Sequence, residues 1–357
     1  MKKLVAMLLV FTMSISLVAC GGNKSSESTS GESKANESTV GDTKAAEENT
    51  AASVENSGEP VSGGTVNIPI TDDPTTLQGW MLRNTNESAL APAIYETLLR
   101  YDETGKPQPF LLESFEGDPE ALTYTMVVRD GITFQDGTPL DAEAVKWNLD
   151  YYKENGVLTG SYFNYVESVE VVDDKTVVVH MSQWDALFDY GLARTCFICS
   201  PTAVESLGVD GFNEMPVGTG AFKVTKWVHG EGIYTEKYDQ YWQGTPYLDG
   251  VNFKIYASTA TQQAALEVGD LDIMNLSGDA ITADALKAKG YSLTNAAIPS
   301  TGYTLCFNSQ ADGPLKDLRV RQAIAYAVDT KAICDSLLGD GAYGTESTQW
   351  AISSSAE

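Results

Sequence analysis

A change in composition near residue 63 divides the chain into two parts with different capacities to fold. Residues 21–62 consist mainly of Ser, Gly, Glu, Asn, Thr and Ala, and they contain no aromatic side chain. Such a segment cannot bury enough apolar surface to offset the chain entropy that folding removes. We therefore predict a disordered linker over residues 21–62 and a folded body from residue 63 onward, which is long enough for one large or two modest domains.

The chain is strongly acidic, with a formal net charge of −26. The linker accounts for −5 of this charge, because it carries eight acidic residues and three lysines. This balance argues against a nucleic-acid-binding protein, which needs a basic surface. It also argues against adhesion of the folded body to anionic lipid.

The first twenty residues have the pattern of a signal peptide. Lys2 and Lys3 precede an apolar run from residue 4 to residue 18, and Cys20 follows directly after Leu-Val-Ala. This ending resembles the lipobox of bacterial lipoproteins, in which the cysteine carries lipid and becomes the new N-terminus. The alternative is a plain secretion signal or an uncleaved anchor. We expect residues 1–20 to act as a lipoprotein signal peptide that is cleaved before Cys20, and lipid on Cys20 to anchor the protein at the extracytoplasmic face of the bacterial cell membrane.

Beyond the linker, strand and helix patterns alternate, which indicates an α/β fold. The predicted strands are 65–70, 122–129, 166–172, 176–181, 222–227, 232–238, 251–257, 271–276 and 303–307, with a short buried strand at 194–200. The predicted helices are 86–99, 142–155 capped by Asp141 and closed by Gly156, 260–268, and one that begins after Asp317 with Ile324, Val328 and Leu338 facing inward.

Two cysteines in a C-x-x-C spacing, Cys196 and Cys199, invite a redox or metal interpretation. In a strand, however, residues three apart point to opposite faces. Their Cα atoms then lie about 10 Å apart, beyond the ~7 Å limit for a disulfide. We expect both to be core residues, with a metal or redox role as the alternative.

Several segments follow one another in the order and spacing of a known family. They are YETLLRYD at 95–102 with PFLLES at 109–114, LTYTMVVRDGITFQDGTPLDAEAV at 122–145, PVGTGAF at 216–222 with YW at 241–242 and GDLDI at 269–273, and FN at 307–308 with DLRVRQAIAYAVD at 317–329. Together they resemble the extracellular solute-binding proteins of family 5, the peptide- and nickel-binding proteins that feed ABC importers. The resemblance covers about residues 63–338.

This resemblance implies a two-lobe, periplasmic-binding-protein-like (type II) α/β fold that closes on its ligand. It places the first lobe at residues 63–305, with an inserted subdomain at about 106–220. Residues 306–357 then form the start of a truncated second lobe, because family members continue well past this point. The implied protein is a monomeric receptor without a cofactor, not an enzyme. It captures an oligopeptide or a nickel chelate and delivers it to a membrane permease.

Arg194 is the strongest candidate for a ligand contact, because it is the one charged residue in the apolar run 192–201. Its guanidinium presents a fork of donors that fits a carboxylate. By spacing, Arg194 matches an arginine that the nickel-binding member of the family uses to hold a chelator carboxylate. The alternative is an internal ion pair.

Two other places match positions where family members contact their ligands. The first is the start of a helix with Arg83, Asn86, Glu87 and Ser88, for which plain helix capping is the alternative. The second is Tyr162, close to an aromatic residue of the family's pocket, for which core packing is equally consistent.

Two rival functions remain open. In the first, two of the three carboxylates Asp136, Asp141 and Glu143 form the catalytic pair of a secreted hydrolase, although a turn and a helix cap explain the same residues. In the second, the chain is a truncated gene product that binds nothing. The turn Gly218-Thr219-Gly220 lacks the spacing of a phosphate-binding loop and is expected to be structural.

We predict that Cys20→Ala releases the protein from the membrane fraction or leaves it unprocessed, because the lipid cannot attach without the thiol. Cell fractionation and the mobility of the processed form test this. Unchanged processing together with full membrane retention would contradict lipidation at Cys20.

Overall fold

The structure is a computed structural model that describes residues 60–83, 85–157, 162–276, 279–294, 306–310 and 312–339. The predicted signal peptide, Cys20, most of the predicted linker and most of the predicted strand 303–307 lie outside these ranges. The described residues form a mixed α/β fold. None of the helices within those ranges is both long and apolar enough to cross a membrane.

The strands are β1 (Thr65–Ile70), β2 (Leu99–Tyr101), β3 (Pro107–Pro109), β4 (Leu112–Asp118), β5 (Thr123–Val128), β6 (Val166–Val171), β7 (Thr176–Met181), β8 (Phe222–Val228), β9 (Gly232–Lys237) and β10 (Gly250–Ile255). The helices are α1 (Thr85–Ile94), α2 (Ala142–Asn155), α3 (Phe188–Arg194), α4 (Pro201–Glu214), α5 (Thr259–Val268), α6 (Ala280–Ala288), α7 (Leu318–Ala327) and α8 (Thr330–Leu338).

The main sheet joins the first strand of the folded body to strands that come much later in the chain. Its order is β1-β10-β9-β8, with β1 parallel to β10 and the other pairs antiparallel. Thr65 pairs with Gly250 at one end of the β1–β10 ladder and Ile70 pairs with Ile255 at the other. All four strands were predicted from sequence, to within two residues at each end.

A second sheet is formed by strands that lie between β1 and β8 in sequence. Its order is β4-β5-β7-β6, with all pairs antiparallel. Helix α2 packs against it and presents Val145, Leu149 and Tyr152 to the core. The helix begins as predicted, because the Asp141 carboxylate accepts a hydrogen bond from the Ala144 N–H at 2.9 Å.

One polar joint connects the segment before α2 to the end of α1. The side-chain nitrogen of Gln135 lies within 3.0 Å of the carbonyl oxygens of Ile94, Gly220 and Phe222. Its side-chain oxygen accepts from the Gly218 N–H at 3.2 Å, and the Gly220 N–H donates to Ile94 O at 2.9 Å. A single half-buried amide thereby connects three segments that are far apart in sequence, and the turn 218–220 is structural, as expected.

Two elements predicted after residue 270 are wrong. Residues 271–276 form no strand, because Asp272 instead closes the edge of β1: its carboxylate accepts from the Asn67 N–H at 2.8 Å. The helix predicted after Asp317 is two helices, since Val328 is extended and the Asp329 side chain caps α8 by accepting from the Ala332 N–H.

Helices α3, α4 and α6 were not predicted, and α3 replaces the start of the strand expected at 194–200. Arg194 is the last residue of α3, and the following segment is extended with isolated bridges at Phe197 and Cys199. Helix α4 is hard to predict from sequence because it is interrupted by a kink at Gly208, where φ is positive. Cys196 and Cys199 are buried and free, which confirms them as core residues.

We predict that Gly218→Ala destabilises the fold by about 2 kcal/mol or more, the scale of an overpacked core. A Cβ at this position would meet the Ile94 carbonyl oxygen and the Tyr95 ring, and backbone cannot move aside as a side chain can. Chemical denaturation measures the free energy of unfolding. Gly211→Ala is the matched control, because its Cβ would lie 3.2 Å from the Leu207 side chain within α4. Equal stability of the two variants would contradict the close approach at Gly218.

Candidate ligand-binding site

Arg194 and Tyr190 lie one turn apart on the same face of α3, since residues four apart in a helix are neighbours. The Arg194 side chain is exposed and makes no hydrogen bond or ion pair with any residue that the structure describes. Its position in the last turn is favourable for a cation by itself, because the carboxyl end of a helix carries partial negative charge. The guanidinium nevertheless keeps all its donors available to a ligand.

Two further tyrosines flank this face of α3. The Tyr101 hydroxyl donates to the Tyr190 carbonyl oxygen at 3.2 Å, and the two rings lie 6.0 Å apart. Tyr162 packs directly on Gly191: a Cβ at Gly191 would lie 2.5 Å from the Tyr162 ring. Glycine at 191 is therefore what allows Tyr162 to come this close to the helix. We call Tyr101, Tyr162, Tyr190 and Arg194 the α3 site.

The electrostatics of the α3 site suit a negatively charged ligand group. Burial raises the pKa of Tyr101, and the nearby Arg194 guanidinium opposes this rise. Tyr101 therefore stays a neutral phenol at physiological pH and adds no negative charge. Asp189 is half-buried, burial raises its pKa, and its carboxylate accepts from the Tyr190 N–H at 2.8 Å. The site thus presents the Arg194 guanidinium, which has no hydrogen-bonded or ion-paired partner among the described residues, on a helix that also carries the Asp189 carboxylate.

Glu87 serves a different purpose, because its carboxylate is fully buried. One oxygen accepts from the N–H and the hydroxyl of Thr75, at 3.1 and 2.6 Å, and the other accepts from the Arg83 N–H at 2.6 Å. These bonds tie the start of α1 to the loop that follows β1. Glu87 therefore shapes this loop from inside, whereas the Arg83 side chain is exposed.

The six predicted ligand contacts fall into two groups. Tyr162 packs on the helix that ends at Arg194, and Arg83 and Glu87 come together at the start of α1. The side chains of Asn86 and Ser88 lie outside the residues that the structure describes. None of these contacts involves a ligand, and each of the six stays a predicted ligand contact.

Sequence reasoning missed Tyr101 and Tyr190. Tyr190 precedes Arg194 by four residues in the run Asp-Tyr-Gly-Leu-Ala-Arg. In a helix this spacing places both side chains on one face, but the run was not predicted to be helical. Tyr101 had no such signal, because it reaches α3 from the short hairpin of β2 and β3.

The carboxylates of the rival hydrolase are engaged in local structure. The Asp136 side chain accepts from the Thr138 N–H at 2.9 Å and from the Ser200 hydroxyl at 2.5 Å, and Asp141 caps α2. Glu143 is exposed in the first turn of α2, where a negative charge favours the helix. Within the described ranges, no group of three His, Cys, Asp or Glu side chains is placed to hold a metal ion.

Solved structures with a similar fold include two binding proteins. The oligopeptide-binding protein AppA from Bacillus subtilis, in complex with a nonapeptide, superposes with a TM-score of 0.65 at 26% identity and covers 78% of this chain and 56% of that one. NikA from Brucella suis, in complex with Fe(III)-EDTA, gives 0.67 at 26% identity over 77% and 56%. The fold is therefore that of the periplasmic binding proteins, and the coverage agrees with an incomplete second lobe.

Sequence comparison leads to the same group. The glutathione-binding protein GsiB of Salmonella paratyphi A is 31% identical over 264 residues, which are 72% of this chain and 51% of that protein. The chain thus spans about half the length of the curated relatives it matches. The profile described as "Bacterial extracellular solute-binding proteins, family 5 Middle" matches residues 106–356. The chain belongs to family 5 of the bacterial extracellular solute-binding proteins.

Proposed function

We propose that the protein is a substrate-binding protein of an ABC importer that captures a ligand bearing a free carboxylate, either an oligopeptide or a metal chelate such as that of nickel. The observation that carries this proposal is the Arg194 guanidinium, which is exposed, is unpaired among the described residues and ends a helix against which Tyr101 and Tyr162 pack. An unpaired cation on an aromatic surface is suited to hold a carboxylate by a bidentate, charge-assisted hydrogen bond.

The ligands of related proteins support this ligand class. The relatives above are described as binding glutathione, a nonapeptide and Fe(III)-EDTA. These molecules differ in size and shape, but all of them carry carboxylates. A receptor that holds this shared group with Arg194 would take its further specificity from the rest of the cleft.

The proposed mechanism is capture followed by delivery. The ligand binds to the first lobe through the α3 site, and the second lobe closes over it about the crossing near Phe307 and Asn308, a hinge motion. Lipid on Cys20 and the linker 21–62 would keep the protein at the extracytoplasmic face of the membrane, within reach of the permease. Glu87 would act as a positioning residue that holds the loop before α1.

We predict that Arg194→Ala weakens the binding of a carboxylate ligand by about 1.5–3 kcal/mol, the scale of a hydrogen bond to a charged group. Arg194→Lys should recover part of the loss, because an ammonium cannot form the bidentate pair. Calorimetric titration with a tripeptide and with Ni-EDTA, on a form with both lobes and on the 357-residue chain, measures the effect.

Arg100→Ala is the control for Arg194, because it removes the same charge from the neighbouring strand β2. The Arg100 guanidinium lies 5.0 Å from the centroid of the Phe110 ring. Because Arg100 and Tyr101 are adjacent in a strand, their side chains point to opposite faces. A lower melting temperature with unchanged affinity in Arg194→Ala would assign Arg194 a structural role. No binding by either wild-type form would favour the non-binding gene product.

We predict that Glu87→Gln lowers the free energy of unfolding by about 1–3 kcal/mol, the cost of leaving buried donors unsatisfied. The amide offers a single acceptor oxygen and turns its NH₂ group toward donors that the carboxylate now satisfies. Thermal and chemical denaturation measure the loss, and Glu103→Gln on the exposed turn after β2 is the control. Unchanged stability with weakened ligand binding would instead make Glu87 a direct ligand contact.

A further inference from the structure

The outward face of α2 forms a groove that is independent of the α3 site. The groove has a volume of about 600 Å³. One wall is α2 itself, and the other comes from the turn before α2 and the first residues of α4. The residues that matter most for its chemistry are Glu143, Lys146, Trp147, Asp150, Tyr151 and Glu154.

The aromatic floor of this groove is braced from the core. The Trp147 ring stacks on Tyr151, with a centroid distance of 4.6 Å and an interplanar angle of 16°. The Tyr151 ring in turn meets Trp80 edge to face, with a centroid distance of 4.8 Å and an interplanar angle of 68°. Trp80 in turn stacks on Phe212 at 5.3 Å, and Phe212 is fully buried. The half-buried indole of Trp147 is therefore held in place before any partner arrives, and little side-chain freedom is lost when a partner binds it.

The charge of the groove is negative and partly uncompensated. Glu143 and Glu154 are exposed and make no hydrogen bond or ion pair with the residues described. The cation on this face, Lys146, is held by Asp150 at 2.6 Å and by the Val169 carbonyl oxygen at 2.8 Å. An anionic partner would be repelled here, while a cation finds both carboxylates and an indole face.

The spacing of the two free carboxylates indicates an extended partner, not a single small cation. Glu143 and Glu154 are eleven residues apart on α2, which corresponds to about 16 Å along the helix. In an extended segment this distance is covered by about five residues. Trp147 lies one turn after Glu143, so that one cation can contact the carboxylate and the indole together.

We propose that the α2 groove docks an extended segment of a partner protein that carries two arginines about five residues apart. A guanidinium lies flat on the Trp147 indole and donates in its own plane to Glu143, which an ammonium does less well. The second arginine pairs with Glu154. The strongly acidic chain adds long-range attraction for such a segment.

The test uses the full chain and two labelled decapeptides of Gly and Ser. One has arginines five positions apart and the other has neutral citrulline at both places, which keeps the shape and removes the charge. Fluorescence anisotropy at physiological salt should show at least ~10-fold tighter binding of the arginine peptide, given two charge-assisted contacts. Equal binding of the two peptides would overturn the proposal.

The variants separate docking in the groove from general charge attraction. Trp147→Ala and the double variant Glu143→Gln/Glu154→Gln should each weaken the binding of the arginine peptide at least ~5-fold. The affinity of Trp147→Phe should lie between those of the wild type and Trp147→Ala, because a phenyl ring attracts cations less than indole. Glu116→Gln/Glu120→Gln removes the same charge from exposed, unpaired positions in and after β4 and should change binding less than ~2-fold.

Two results would contradict the proposal. Equal losses in the two double variants would show non-specific attraction to the acidic surface. Competition by free arginine amide at the same concentration as the peptide would show a small-molecule site in place of a docking surface. Circular dichroism and melting temperature accompany each variant, and Trp147→Phe keeps the test valid if Trp147→Ala is unstable.

Discussion

The position of the α3 site depends on the close approach of two glycines to the end of α1. Gly218 and Gly220 lie against the backbone of residues 93–95, where a Cβ on either would meet backbone carbonyl atoms. This contact lets the Gln135 amide reach the carbonyl oxygens of Ile94, Gly220 and Phe222. Because buried amides are costly to leave unpaired, the joint has one geometry in which all its polar groups are satisfied.

The same joint fixes the segment that follows Arg194. Phe197 bridges to Thr97 on one side, and Cys199 bridges to Gly218 on the other. The Ser200 N–H donates to the Val217 carbonyl oxygen at 3.0 Å, and the Ser200 side chain caps α4. Helix α3 leads directly into this doubly held segment. Its last residue, Arg194, is therefore exposed and yet anchored by backbone contacts within a few residues.

Elements that depend on interactions between residues close in sequence could be predicted, whereas elements that depend on contacts between distant residues could not. The strands on either side of Asp173-Asp174 and the cap of α2 at Asp141 depend on neighbouring residues, and both were predicted correctly. At the edge of β1, the Asp272 carboxylate takes the place of a further strand. At Val328, the Asp329 side chain caps a new helix in place of a longer α7. Such competition has no periodic signal in the sequence.

The candidate site shows the same division. Arg194 stood out as an isolated charge, although the strand assigned to it was wrong and it ends a helix. Tyr101 reaches the site through a hydrogen bond to a residue 89 positions away, and no local pattern predicts that contact. The resemblance to family 5 identified Glu87 as a contact position, but its burial and its three donors are visible in the structure alone.

The acidic charge of the chain has opposite consequences for the two sites. At physiological ionic strength, charges more than about 8 Å apart are largely screened. A carboxylate ligand at the α3 site is therefore governed by Arg194 and the tyrosines around it, and distant acidic residues oppose it weakly. At the α2 groove both the local charge and the net charge of the chain are negative. A cationic segment is therefore attracted from a longer distance than a carboxylate ligand is at the α3 site. One acidic surface can thus hold an anion by short contacts at α3 and collect a cationic partner at α2.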